Sequence, residues 1–215
     1  MFKTPLAIAL VLGLTGLTAP AFADDTVDLE DLARLPVESL DTLKEVHHQV
    51  ALAHIALAGA EREKELARKE VETAKKEVEV EEADRKAAEA ELNAARKNQD
   101  DVRTRTAETH LDAARAALET AKILVKWREQ EVKVREARID AAKAVLEQRE
   151  AEREYARAEL VVTARIENSA RYSISRFRSR MEGKTRDVVK KEDRVRKEEE
   201  KATQLQADYA ARSGS

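Results

Sequence analysis

The chain of 215 residues contains no cysteine, three prolines and five glycines, and aromatic residues make up 3 % of it. Without cysteine there is no disulfide, no thiolate nucleophile, and no residue on which a bacterial lipoprotein could carry its lipid. The last proline is Pro36, and between Val37 and Arg212 only Gly59 and Gly183 interrupt the chain as glycines. A stretch that long without the usual turn residues is not a globular fold of many short elements. Few aromatics, and a hydrophobic fraction of 42 % that is largely alanine, rule out a wide core. What is abundant is charge: Asp, Glu, Lys and Arg make up 39 % of the chain. With alanine and leucine, the charged residues give the composition of long helices and coiled coils. The 40 basic and 43 acidic residues are interleaved and leave a net charge of −3, so no overall polycation draws the protein to nucleic acid.

Residues 1–23 read as a secretory signal peptide. Lys3 supplies the positive n-region, residues 6–17 form an apolar run too short to span a bilayer comfortably, and Pro20 precedes Ala21-Phe22-Ala23, a small-residue cleavage site. The expectation is a periplasmic or secreted protein with no transmembrane segment after cleavage. The rival is an uncleaved N-terminal anchor, disfavoured by the short apolar run and the processing site.

The rest reads as an all-α chain with an acidic lead over residues 24–36 and then heptads. Stepping by seven from Leu43 gives Leu43, Val50, Leu57, Lys64, Val71, Val78, Arg85 and Leu92; the companion row, Val46 to Ala95, is mostly alanine. That a/d seam defines a coiled-coil helix over residues 37–97. A second series, Leu111, Leu118, Val125, Val132, Ile139, Leu146, Arg153 and Leu160, defines another over 106–182. Its companion row carries Arg128, Arg135 and Arg149, so its buried stripe widens to Ile123, Ala137 and Ala144. Between the two, residues 98–105 are polar and rich in cap and turn formers, which places a turn near Asp100. The predicted fold is therefore a long, elongated antiparallel coiled-coil hairpin, with Leu92 set beside Leu111 and Leu57 beside Leu146. The competing arrangement is one continuous helix paired in parallel with a second copy. A third series, Ile174, Met181, Val188, Val195, Ala202 and Tyr209, with Phe177 and Leu205 alongside, marks a C-terminal helix and tail over residues 183–215 begun at Gly183, either folded back on the hairpin or projecting.

Chemistry-bearing motifs are few. His47 and His54 lie seven residues apart and His47 and His48 are adjacent, spacings that do not chelate one ion on a helix. No phosphate loop, nucleophile elbow or zincin motif occurs, and two or three coiled helices have no pocket to perturb a carboxylate for acid–base work. No enzymatic activity, cofactor or metal is expected. One segment departs from even charge mixing: Arg165, Arg171, Arg176, Arg178, Arg180, Lys184 and Arg186 are opposed only by Glu167 and Glu182. Arg171, Arg176, Arg178 and Arg180, with Tyr172 and Phe177, form a candidate contact for anionic envelope polymer, lipid headgroups or a protein partner. The plainer alternative packs Ile174, Phe177 and Met181 inward and pairs the arginines with acidic stretches such as residues 79–82. Trp127, the single tryptophan, is either a packing anchor for the third segment or a partner contact.

In shape the hairpin resembles the helical arms of Skp-type periplasmic chaperones and the hairpins of efflux-pump periplasmic adaptors. The likeness covers the helices alone, because those families flank their arms with β-structure that this sequence does not encode. The expected function is a non-catalytic structural spacer or adaptor of the bacterial cell envelope, partnered by itself or by another helical envelope protein. The alternative is a periplasmic holdase-type chaperone with helical arms.

Overall fold

The computed structural model describes residues 26–167 and 169–214. The signal-peptide reading, residues 1–23, lies outside them. Four helices follow in order: α1 (Leu29–Ala33), α2 (Ser39–Lys97), α3 (Asp101–Thr163) and α4 (Ile174–Ser213), with a 3-10 turn at Ser169–Arg171 before α4. No strand occurs among the described residues. The fold is an elongated antiparallel helical hairpin of α2 and α3, with α4 packed on α3. At 1.5 Å per residue the hairpin is roughly 90 Å long.

The heptads of α2 bury as their spacing requires. Leu43, Val50, Val71 and Leu92 are buried on one row, and Ala53, Ala67, Ala74, Ala88 and Ala95 on the other. Leu92 and Leu111 share a small core with Ala88 and Ala107 near the turn. Ion pairs across the hairpin, Lys64–Glu136 at 3.0 Å, Glu70–Arg128 at 3.1 Å and Arg96–Glu108 at 2.9 Å, match the same register. Each such exposed pair adds only ~0–1 kcal/mol, so their main effect is to favour this alignment over a slipped one.

The turn is tighter than the eight residues expected. Helix α2 ends at Lys97 and α3 restarts at Asp101. Gln99 takes a left-handed conformation (φ 56°), the Asp100 N–H donates to the Ala95 carbonyl, and the Gln99 N–H donates to the Arg96 carbonyl. This is a Schellman ending, with glutamine where glycine is usual. The Asp100 carboxylate then accepts from the Arg103 N–H at 3.0 Å and caps α3. Arg103, Thr104 and Arg105 are polar because they lie on a helix surface at the tip.

The second long helix does not run over 106–182, and the C-terminal helix does not start at 183. Helix α3 stops at Thr163 and α4 starts at Ile174, so Gly183 lies inside α4. The break is a second Schellman ending, at Arg165 (φ 52°), with the Ile166 N–H donating to the Val161 carbonyl at 3.2 Å and the Arg165 N–H to the Val162 carbonyl at 3.1 Å. Gly183 has no left-handed backbone and terminates nothing.

Helix α4 folds back antiparallel along α3. Arg178 meets Tyr155, Arg194 pairs with Asp140 at 2.8 Å, and Gln130 donates to Glu198 at 2.6 Å. The face of α3 that receives it has its own heptad: Gln130, Ala137, Ala144, Ala151 and Ala158 are all buried, two of the alanines completely. Alanine there lets α4 approach toward the ~8 Å end of helix spacing. Trp127 lies about two turns before the far end of the contact, where Arg212 comes near Glu119. Its ring lies 5.7 Å from that of Tyr209, with the Arg128 guanidinium 4.3 Å over it, so it is the packing anchor for the third segment.

Candidate functional site

The arginine-rich segment falls at the joint between α3 and α4, and the joint divides it. The heptad phase of α4 turns Phe177 inward, where it is buried with Tyr172, Val27, Leu35, Leu43, Ala158 and Val161 in the largest core cluster. This core gathers the acidic lead, the start of α2, the end of α3 and the start of α4. The described part of the lead, residues 26–36, is thus a docked segment carrying α1.

Arg171 and Tyr172 hold that segment. The Arg171 guanidinium donates to Asp31 at 2.8 Å, to the Tyr172 hydroxyl at 2.7 Å and to Asp28. The Tyr172 hydroxyl donates to Asp31 at 2.7 Å and accepts from the Asp28 N–H at 3.1 Å. The hydrogen bond from Tyr172, with the adjacent Arg171 charge, holds the Asp31 carboxyl below its ordinary value against the opposing effect of burial. Burial pushes the Tyr172 phenol up, and the same contacts hold Arg171 protonated more firmly still. One turn deeper, buried Glu154 accepts from the Val27 N–H at 3.2 Å and from Arg157 at 2.9 Å. Arg157 also lies 2.8 Å from His47 Nε2 on α2. Guanidinium is only a donor, so this contact needs His47 neutral, with Nε2 accepting. Desolvation, reinforced by Arg157 and Arg153, pushes the His47 imidazole below its ordinary value.

Of the six residues singled out, Tyr172 and Phe177 are buried at the docking of the lead, and Arg171, 38 % exposed, clamps the lead from its edge. Arg176, Arg178 and Arg180 are exposed on the first turns of α4. Arg178 donates to the Tyr155 hydroxyl at 3.1 Å and lies over that ring. Arg171 pairs with Asp28 and Asp31, and Lys184 with Glu147; residues 79–82 lie toward the hairpin tip beyond the reach of the first turns of α4. The sequence carried a signal for this docking that charge counting hides: Val27, Leu32 and Leu35 are apolar residues spaced through an otherwise acidic stretch.

The other end is built differently. From about residue 120 to the turn, roughly 20 residues or about 30 Å, α2 and α3 continue as a two-helix arm that α4, ending at Ser213 with Arg212 near Glu119, does not accompany. Val102, one residue into α3, is 77 % exposed there. Among the described residues no group of three or more histidines and carboxylates is placed to hold a metal, and no helix is long and apolar enough to cross a membrane. Compared with known proteins, the chain matches no protein-family model, no curated protein and no solved structure.

Proposed function

We propose that the protein is a non-catalytic spacer or adaptor of the bacterial envelope, exported through its N-terminal signal peptide. The observation that carries the reading is the two-part construction: a knotted three-helix base from which a two-helix arm of fixed length projects with an exposed apolar tip. A rigid arm of this kind sets a distance and presents its end. Site-specific photo-crosslinkers at Val102 and Val189 in intact cells test the reading. Capture of a discrete partner at the tip and not at Val189 supports it. Capture at neither position, together with suppression of client aggregation by the purified chain, replaces it with the holdase reading.

The exposed Arg176, Arg178 and Arg180 supply the contact to anionic polymer or lipid headgroups in this scheme. Replacing the three with glutamine keeps helix propensity nearly constant. Binding to vesicles of anionic lipid should then fall and lose its salt dependence. An unchanged salt titration removes this contact from the scheme.

A further inference from the structure

The outward face of α2 carries a second heptad row that the hairpin does not use. Leu52, Gly59, Leu66, Thr73 and Val80 follow one another at intervals of seven, and all five are exposed. Leu52 is 44 % exposed, Leu66 60 % and Val80 58 %, and Ile55 beside them is 68 % exposed. Four of the eight large apolar side chains that stand exposed among the described residues therefore lie along one line of one helix. The row is uncharged in a chain that is 39 % charged. It spans 28 residues, roughly 42 Å of helix.

Two features say what covers it. The first is Gly59, in mid-helix. Glycine there costs about 1 kcal/mol relative to alanine, and a Cβ added at this position would meet nothing within 4 Å. The fold of the single chain gives no reason for it, whereas close approach of another backbone does. The second is charge. Three residues after Gly59, Leu66 and Thr73, the middle three of the five, stand Arg62, Lys69 and Lys76, and four residues after them stand Glu63, Glu70 and Glu77. On a helix these fall on opposite sides of the row, one flank basic and the other acidic. Glu63 and Glu70 also reach Arg135 and Arg128 of α3, yet remain 55 % and 54 % exposed.

A row with oppositely charged flanks is complementary to itself in one orientation. A two-fold axis parallel to the helices sets the basic flank of each copy against the acidic flank of the other. A perpendicular axis, which makes the helices antiparallel, sets like charges together. We propose that the protein forms a parallel homodimer through the outer face of α2, with Leu52, Gly59, Leu66 and Val80 on the two-fold seam and both hairpin tips at the same end. The pairing names the partner left open in the spacer reading and rests on that reading only for its use. A single-row seam makes the dimer weak and sensitive to concentration, and its flanking charges make it weaken as salt rises.

Because the chain has no cysteine, single-cysteine variants report the geometry directly. Leu52→Cys, Leu66→Cys and Val80→Cys should each give disulfide-linked dimers under mild oxidation, and Val189→Cys on α4 should not. An antiparallel pair allows at most one of the three to meet its own copy, so crosslinking at one position alone overturns the proposal. Sedimentation equilibrium of the full chain supplies an independent reading. Gly59→Gln should raise the melting temperature, because glutamine favours helix, while weakening the dimer about tenfold; a stabilised variant that still dimerises normally refutes the seam. Wild-type protein that stays monomeric at about 100 µM in low salt also overturns it. None of these outcomes touches export or capture at the tip, so the dimer can fail while the spacer reading stands.

Discussion

The base and the arm of this molecule obey the same seven-residue rule and end with different construction. In the arm, α3 has one buried stripe and one partner, α2, and the core near the tip is two leucines and two alanines. In the base, α3 has two buried stripes and two partners, and the core draws on the lead, α2, α3 and α4. The lesson is that a heptad seam sets direction and register, while a second covered stripe and side chains from distant parts of the sequence set local stability. A coiled-coil arm of this kind is held mainly at its root.

The sharpest way to break the comparison is to remove a large side chain from each region. Phe177→Ala in the base should cost ~3–5 kcal/mol and Leu92→Ala in the arm ~2 kcal/mol, near the low end for a buried leucine, because the arm can close around the loss more easily. Chemical denaturation checks both. Equal costs would mean that the arm is as tightly packed as the base. Amide exchange of the wild type refines the same point: amides of α2 and α3 between the end of α4, near residue 120, and the turn should exchange at least roughly tenfold faster than those of α3 over residues 130–160.

A smaller effect separates the two helix ends. Gln99 and Arg165 adopt left-handed conformations that cost an L-residue about 1–2 kcal/mol. Gln99→Gly and Arg165→Gly should each stabilise the protein by up to about 1 kcal/mol, the glycine's looser unfolded chain offsetting part of the gain. Arg165→Gly should protect base amides, and Gln99→Gly only those of the arm. Thermal melts with exchange mapping test this.

The smallest effect is in acid. His47 is pushed below its ordinary value in the folded protein, so the unfolded chain binds a proton more readily. The stability from its neutral form is therefore complete above about pH 6.5, the free imidazole value, and is lost as pH falls through the lower folded value. Asp31, also depressed, behaves likewise further down: its contribution is present above the ordinary carboxyl value and is lost as pH falls through the folded one. Both groups are in the base. Glu119, where α4 ends, is held down chiefly by Lys122 of its own helix, with Arg212 of α4 a smaller contributor. Lowering the pH from 7.5 to 5.5 should therefore lower the melting temperature of the wild type slightly more than that of His47→Gln. Identical pH dependence in the two proteins would remove His47 from this account.

Much of this was legible without coordinates, because a heptad repeat is a local property. The seam of α2, the inward rows of α4 and the pairing of Leu92 with Leu111 follow from spacing. The end of α3 and the start of α4 were not legible, because a left-handed arginine leaves no mark in the sequence and the visible glycine, Gly183, is an ordinary helical residue. The candidate anion contact was half legible. Charge counting found the arginines, but Arg171 and Tyr172 are occupied by a segment some 140 residues earlier, a pairing that spacing cannot reveal.

The sequence by itself determined that the chain is helical, that its helices pair along narrow seams and which residues line them, because hydrophobic period and the scarcity of proline and glycine act within a few turns of backbone. Tertiary structure decided that α4 returns along α3, that the acidic lead docks as part of the core, that two of the six candidate residues turn inward, and that a third, Arg171, is engaged by the lead. Those outcomes depend on contacts between segments far apart in the chain, where burial and charge pairing, not local preference, select the partner.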